Sequence, residues 1–225
     1  MKTKILVIAA HPDDETLGCG GLISKRTFDG VCAKAIFISD GVSSRYPEND
    51  RSSWKSELEI RKNSARNASA ILGMEEPTFF DFPDNKLDSI PLLTLAKMVE
   101  EHVKEFQPST ILTHFPGDLN VDHSITSQVA LIASRPNTFY KPNEILFFEI
   151  ASSTENSLLG FHPNYYVDIT NHVSNKLLAL QEYQFELRNY PNSRSREGVE
   201  NLAKFRGNCV SVAHAEAFIS HRIIV

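Results

Sequence analysis

The residues with the clearest chemical potential stand near the N-terminus, where His11-Pro12-Asp13-Asp14 places one imidazole beside two adjacent carboxylates. The apolar run before them, residues 4–9, is typical of a buried parallel strand. Open α/β sheets bind ligands at the carboxyl ends of such strands. One imidazole cannot neutralise both carboxylates, and a bound metal ion would resolve their repulsion. The simpler interpretation is that Asp13 or Asp14 caps the next helix while His11 fills the turn.

A second polar cluster runs from His114 to His123 and contains two His, two Asp and one Asn in ten residues. Taken alone, it has an equally simple interpretation, in which Asn120 or Asp122 caps a following helix. It also follows a predicted strand, so both clusters are expected at the same edge of one sheet. Two such clusters together favour a shared metal site over two separate helix caps.

A catalytic zinc site takes three nitrogen or oxygen ligands from the protein and leaves the fourth position to water. His11, His123 and one of the two carboxylates of Asp13 and Asp14 supply that number of ligands. The other carboxylate is then free to act on the water. The spacing does not decide which of the two carboxylates plays which part.

The elements that must position these residues alternate between strand and helix along the chain. Strands are predicted at 4–9, 31–39, 78–82, 110–114, 145–150 and 165–169. Helices are predicted at 16–30, 54–72, 91–106, 121–134, 174–190 and 197–205, with a mobile polar loop at 42–53. This order predicts an α/β fold, a Rossmann-like three-layer sandwich whose mostly parallel sheet carries helices on both faces. Residues 1–225 are expected to form a single domain.

The composition, 41% hydrophobic and 23% charged, is ordinary for a soluble globular protein. The net charge of −5 argues against bulk binding to nucleic acid or anionic membrane. No apolar run is long enough for a membrane span or a signal-peptide core. Cys19, Cys32 and Cys209 are few and scattered, which favours reduced thiols in a cytoplasmic protein. The sequence leaves homo-oligomerisation open.

The run from Ala9 to Gly21, AAHPDDETLGCGG, followed by Asp122-His123, resembles the PIG-L/LmbE-like N-deacetylases. The resemblance covers most of the chain and extends to Arg61, Leu72-Gly73, Pro83-Asp84-Asn85 and the segment 117–123. Residues 202–207 and 215–218 resemble a branch of the family linked to surface-polysaccharide or glycoside biosynthesis.

This resemblance implies a zinc enzyme that removes the acetyl group from an N-acetylglucosamine-type sugar, as a small molecule or glycoconjugate. It places His11, Asp14 and His123 on the metal and makes Asp13 the general base. A ligand set of two His and one Asp also suits Fe2+, Co2+ or Mn2+. Asp13 would take a proton from the metal's water, which attacks the amide, and would pass that proton to the departing amine.

The sequence departs from the family pattern at Asn120, where many members carry a His that is thought to stabilise the oxyanion. An Asn amide can donate a hydrogen bond there but cannot carry charge. Asp122, which pairs with that His in such members, is then expected to orient His123 or Asn120. A second departure is Val42, where an acidic residue often contacts the substrate, so the substrate cannot be transferred from the family.

Four residues are candidates for substrate binding. Arg61 and Asp84 match family positions that contact the sugar, although an exposed helix Arg and a turn Asp are equally simple interpretations. His114 could replace the absent family His, and Arg206 could meet a phosphate or nucleotide or merely neutralise a helix dipole. Arg45 and Arg51 could form a lid over an anionic aglycone, although a solvated loop is the better interpretation of these residues.

Two other functions remain open from sequence. One is a metal-dependent hydrolase of another N-acyl compound at the same site. The other is a non-catalytic nucleotide-binding module based on Gly18-Cys19-Gly20-Gly21. That run lacks the full G-x-G-x-x-G spacing, and the neighbouring carboxylates would repel a pyrophosphate, so glycines that allow close helix–sheet packing are the better interpretation.

Overall fold

A computed structural model describes residues 3–47, 51–136 and 140–225, without the side chains of residues 51–53. Its centre is a seven-stranded sheet. The strands are β1 (Lys4–Ala9), β2 (Cys32–Ser39), β3 (Thr78–Phe82), β4 (Thr110–His114), β5 (Glu144–Phe148), β6 (Tyr165–Asp168) and β7 (Ala215–Ile223). They lie in the order β3-β2-β1-β4-β5-β7-β6. The first five in that order are parallel, and β7 pairs antiparallel with both β5 and β6.

Helices cover both faces of the sheet. They are α1 (Asp14–Phe28), α2 (Arg51–Ile71), α3 (Leu92–Phe106), α4 (Val121–Ala133), α5 (Val173–Gln181) and α6 (Arg196–Asn208). The α1, α2, α5 and α6 helices bury their apolar side chains on one face. The α3 and α4 helices do so on the other. The predicted three-layer α/β sandwich is therefore confirmed.

The central strand β1 shows why this sequence forms a sheet covered on two sides. Its side chains alternate between the two layers: Ile5 and Val7 pack with α1 and α5, and Leu6 and Ile8 pack with α3 and α4. Successive side chains of a strand point to opposite faces, so a strand buried on both faces is apolar at nearly every position. That is the continuous apolar run seen in the sequence.

The glycines after β1 serve close packing. A Cβ atom at Gly18 would lie 2.3 Å from Cδ2 of Phe148, and one at Gly21 would lie 2.7 Å from Cδ1 of Ile169. Lacking side chains, these glycines let α1 approach the sheet more closely than any other residue would allow. This explains the glycine-rich run without a phosphate and leaves the nucleotide-binding alternative without support.

The sequence reasoning missed β7 and misplaced several boundaries. β7 changes from buried residues at Ala215–Phe218 to partly exposed polar ones at Ser220–Arg222, so it lacks the uniform pattern of the central strands. Helix α5 ends at Gln181 instead of 190. Helix α2 begins at Arg51, inside the predicted loop 42–53, of which residues 48–50 lie outside the described residues. Among the residues that are described, no helix has the length and apolarity needed to cross a bilayer.

Candidate metal centre

Both polar clusters lie at the carboxyl edge of the parallel strands, as predicted. His11 follows β1 closely, and His114 is the last residue of β4. Asp84 follows β3, and His123 lies in the first turn of α4. Neighbouring parallel strands end at the same edge, so residues more than one hundred positions apart in sequence come into contact there.

The three residues predicted to hold the metal form one compact group. One ligand atom from each of His11, Asp14 and His123 lies within 4.8 Å of the other two, and all three residues are buried. Asp14 bridges the imidazoles: its Oδ2 lies 3.3 Å from Nδ1 of His11, and its Oδ1 lies 3.5 Å from Nε2 of His123. Two imidazoles and a carboxylate oxygen are a suitable donor set for zinc.

Two further carboxylates contact the Nε2 atom of His11. Its Nε2 lies 3.0 Å from Oδ1 of Asp84 and 3.1 Å from Oδ2 of Asp122. Asp122 is fully buried and also accepts hydrogen bonds from the backbone N–H groups of Asn85 and Leu87. Its partner is thus His11, and not His123 or the amide of Asn120 as sequence reasoning suggested. A carboxylate on the far nitrogen fixes the orientation and tautomer of a metal-binding imidazole.

His11, Asp84 and Asp122 form a second group whose ligand atoms also lie within 4.8 Å of one another. The first group is the better candidate for a metal because it contains two imidazoles. In the second group, both oxygens of Asp122 already accept backbone hydrogen bonds. Three carboxylates around His11 leave negative charge that a divalent cation would offset.

His123 is oriented by Asp118, a residue that sequence reasoning did not select. Oδ1 of Asp118 lies 3.0 Å from Nδ1 of His123. Its Oδ2 accepts hydrogen bonds from the hydroxyls of Ser153 and Thr154. Burial is the largest single effect on the pKa of Asp118 and would raise it, but the hydrogen bond and charge of His123, with the hydrogen bonds from Thr154 and Asn120, together lower that pKa. Nδ1 of His123 is therefore held by a carboxylate while Nε2 faces Asp14.

Asp13, the predicted general base, has a strained backbone and a carboxylate that is only half engaged. Its backbone adopts φ 126°, a strained conformation for a residue with a side chain, and the side chain makes no capping bond. Its Oδ2 is shared by the guanidinium groups of Arg61, at 3.3 Å, and Arg194. Its buried Oδ1 has no hydrogen-bond partner among the described residues. Burial raises the pKa of Asp13 to about 6, and Arg194 and Arg61 limit the rise.

Arg61 is buried as part of this arrangement. Its Nε donates to the carbonyl of Pro12 at 3.0 Å, and its Nη1 donates to the carbonyl of Gly41 at 2.6 Å. Nη1 also lies 2.8 Å from Oε1 of Glu186. With most of its donors occupied in this way, Arg61 orients Asp13 and the loop after β1.

His114 lies beneath the metal ligands. It is fully buried, its Nε2 accepts a hydrogen bond from the N–H of Ala10 at 2.9 Å, and its ring stacks on His123 with centroids 4.0 Å apart. Burial, followed by the nearby His123, lowers the pKa of His114 to about 4. A neutral, enclosed imidazole supports His123 and does not reach a substrate, which is against the contact predicted for it.

Asn120 is the N-cap of α4. Its side-chain oxygen accepts from the N–H groups of Asp122, at 2.8 Å, and His123, at 3.3 Å. Its Nδ2 donates to Oδ1 of Asn85 at 3.3 Å. The helix-capping interpretation is therefore confirmed for this residue, and its contact with an oxyanion remains a prediction.

The predicted binding residue Arg206 is paired elsewhere. Its Nε and Nη2 lie 2.8 and 2.6 Å from the two carboxylate oxygens of Glu149, and its guanidinium lies over the ring of Phe161. Both donors of its fork are thus occupied by a carboxylate. Arg45 likewise pairs with Glu57 and Glu186, and the side chain of Arg51 lies outside the described residues.

Sequence reasoning also missed the residues that reach the site from the C-terminal third. Arg194 contacts Asp13 across 181 positions of sequence. The hydroxyl of Tyr183 donates to Oε1 of Glu15 at 2.6 Å, and burial raises the pKa of Glu15 to about 7. No local pattern marks these residues, because each is identified only by its distant partner.

Fold and site together define an α/β protein with a buried His/Asp cluster, at the carboxyl edge of its sheet, that has the donor set of a divalent-metal centre. A family model described as PIG-L: GlcNAc-PI de-N-acetylase matches residues 6–134. The chain belongs to this PIG-L family. The matched range contains the complete His11, Asp14 and His123 group and the adjacent Asp13.

Individual relatives agree with this assignment. A probable N-acetyl-alpha-D-glucosaminyl L-malate deacetylase 2 from Bacillus anthracis is 24% identical over 181 residues, covering 80% of this chain and 79% of the relative. The conserved protein TT1542 from Thermus thermophilus has the same fold, with a TM-score of 0.78 and 21% identity over 100% of this chain and 97% of that one.

The fold also accommodates another reaction. A 4-carboxy-2-hydroxymuconate hydratase from Pseudomonas putida superposes with a TM-score of 0.75 and 21% identity, over 100% of this chain and 98% of that one. Similar folds therefore do not decide the reaction, which must be argued from the site.

Proposed function

We propose that this protein is a metal-dependent hydrolase that removes the N-acetyl group from an N-acetylated amino sugar or sugar conjugate. The observation that carries the proposal is a ligand group next to a buried base. His11, Asp14 and His123 offer the ligand atoms, and the adjacent Asp13 keeps one carboxylate oxygen without a partner among the described residues. Membership of the PIG-L family and a deacetylase relative support the same reaction.

In the proposed reaction His11, Asp14 and His123 would hold a divalent metal ion, and the family resemblance makes zinc the expected ion. Fe2+, Co2+ and Mn2+ suit the same ligands. Zinc bound there would supply Lewis-acid chemistry, lowering the pKa of a water molecule and polarising the amide carbonyl.

Asp13 moves the protons. Its Oδ1 takes a proton from the attacking water and later gives it to the leaving nitrogen, so the products are acetate and a free amine. Arg61 and Arg194 hold the other oxygen, Oδ2, and thereby fix the direction of Oδ1. A pKa of about 6 leaves Asp13 ionised at neutral pH while keeping it a usable acid for the second step.

We further propose a cytoplasmic setting in surface-polysaccharide or glycoside biosynthesis. The three cysteines are few and widely spaced in the sequence, a pattern that is usual for proteins of a reducing compartment. The pathway rests on the resemblance of the C-terminal segments alone.

The test measures acetate release from a panel of N-acetylated sugars together with metal content. Removal of the metal with a chelator should abolish activity, and zinc should restore it. Asp13→Asn should lower kcat about 100-fold or more while the bound metal stays at the wild-type level, because proton transfer is lost and the ligands remain.

Asp29→Asn is the matched control, since Asp29 is exposed at the opposite end of α1 and should leave activity unchanged. A protein that takes up no metal, or an Asp13→Asn variant that keeps full activity, would refute the mechanism. Turnover of an unsaturated acid, as in the hydratase that shares this fold, in place of acetate release would assign a different reaction.

A further inference from the structure

An open cleft of about 520 Å³ adjoins the metal centre and is not used by the proposed mechanism. Three segments line it. Tyr46 belongs to the segment that follows β2, Trp54 to the start of α2, and Asp84 and Asn85 to the turn after β3. Asp84 joins cleft and metal centre, because its Oδ1 lies 3.0 Å from Nε2 of His11. A molecule held at the metal by one group would therefore extend into this cleft.

The lining combines aromatic rings with short polar side chains. Tyr46 and Trp54 line the cleft, and both residues are half-buried. The hydroxyl of Tyr46 donates to Glu57, which fixes the ring from its polar end. Asp84 and Asn85 add acceptors and donors within the same cleft. Sugars match such a lining, since each pyranose ring has an apolar C–H face and a rim of hydroxyls.

The charge of the lining selects among sugar conjugates. Asp40, Asp81 and Asp84 contribute carboxylates and Lys86 contributes an ammonium group, but Asp81 pairs with Lys62 at 2.5 Å and Asp84 contacts His11. Arg45 precedes the lining residue Tyr46, and its guanidinium forms ion pairs with Glu57 and Glu186. The described residues that line the cleft include no arginine to bind a diphosphate through two parallel hydrogen bonds, whereas an uncharged saccharide needs no such group.

We propose that this cleft binds an uncharged saccharide unit linked to the acetamido sugar, with the faces of Trp54 and Tyr46 against the sugar ring. This rests on the proposed function, which places the acetamido group at the metal. The preferred substrates are then neutral oligosaccharides or glycosides, and sugar nucleotides gain nothing from the cleft.

Binding can be followed directly, because Trp54 is the only tryptophan of the chain. The zinc-loaded protein is titrated with N-acetylglucosamine, N-acetyllactosamine, N,N′-diacetylchitobiose and UDP-N-acetylglucosamine while tryptophan emission is recorded. We expect the two disaccharides to change the emission saturably and to bind about threefold to tenfold more tightly than the monosaccharide, the contribution of one aromatic contact. UDP-N-acetylglucosamine should bind no more tightly than N-acetylglucosamine.

A substitution in the cleft separates its contribution to binding from that of the metal site. Tyr46→Ala keeps the fluorophore and should raise the Kd of the disaccharides about threefold to tenfold, with little change for the monosaccharide. Phe28→Ala is the control, because Phe28 is 83% exposed at the far end of α1 and should have no effect. Tighter binding of UDP-N-acetylglucosamine than of either disaccharide would overturn the proposal.

The two proposals fail in different ways. Saturable binding of disaccharides at Trp54 without any acetate release would refute the deacetylase function and leave a saccharide-binding cleft. Acetate release with the same KM for the monosaccharide and the disaccharides, and no emission change, would refute the cleft and leave the deacetylase.

Discussion

Asp118 offers the sharpest test of how the candidate metal centre is built. It accepts from four groups: Nδ1 of His123 at 3.0 Å, the N–H of Asn120 at 2.9 Å, and the hydroxyls of Ser153 and Thr154. Asp118→Asn keeps the volume and one carbonyl oxygen but removes the charge that orients His123. Loss of such a carboxylate costs about 10-fold to 100-fold in metal affinity, or about 1.4 to 2.8 kcal/mol.

The assay is a competition for zinc between the protein and a chromophoric chelator. Asp168→Asn is the matched control, because Asp168 also accepts from a backbone N–H and a hydroxyl, those of Thr170, on the exposed end of β6. It should bind zinc as the wild type does. If Asp118→Asn also bound zinc with wild-type affinity, the role assigned to Asp118 in orienting His123 would be wrong.

Two further substitutions test the proposed base and the packing of α1 against the sheet. Arg194→Ala should lower kcat about tenfold or more with unchanged metal content, since Asp13 loses a charged hydrogen bond. The guanidinium of Arg194 lowers the pKa of Asp13, so its loss should also move the acid limb of the pH–kcat profile to higher pH. The control is Arg196→Ala, on the exposed start of α6, which should change neither kcat nor the pH profile. Gly18→Ala should lower the free energy of unfolding by about 1 to 3 kcal/mol, because its Cβ would lie 2.3 Å from Phe148. Thermal unfolding of Gly20→Ala, whose Cβ would meet nothing closer than 3.4 Å, is the control, and equal stability of the two variants would contradict the packing argument.

The helix-capping alternatives turned out differently at the two clusters. Asn120 does cap α4, so the simple interpretation is correct there. At the first cluster the N-cap residue Asp13 makes no capping bond, and its carboxylate points to two arginines instead. The same residue types can therefore serve a helix end or a site, and only the positions of their partners distinguish the two.

The sequence by itself was enough to predict the layered α/β fold and the edge where the site lies. The strand β1 is a continuous apolar run, and β4 is fully buried around Ile111 and Leu112 although it also contains two threonines and a histidine. The carboxyl ends of both strands, and the polar clusters after them, could therefore be located from local sequence. The strand β7 was not predicted, because only its first half is buried and its sequence is therefore not a continuous apolar run.

Only the tertiary structure decided which side chains act together. Asp122 contacts His11 across 111 positions, and Arg194 contacts Asp13 across 181. Residue spacing reports which face of an element is buried, but it does not say which distant group completes a hydrogen bond. The orientation of each imidazole and the environment of the base follow from such contacts, since charge and hydrogen bonding act through space and not along the chain.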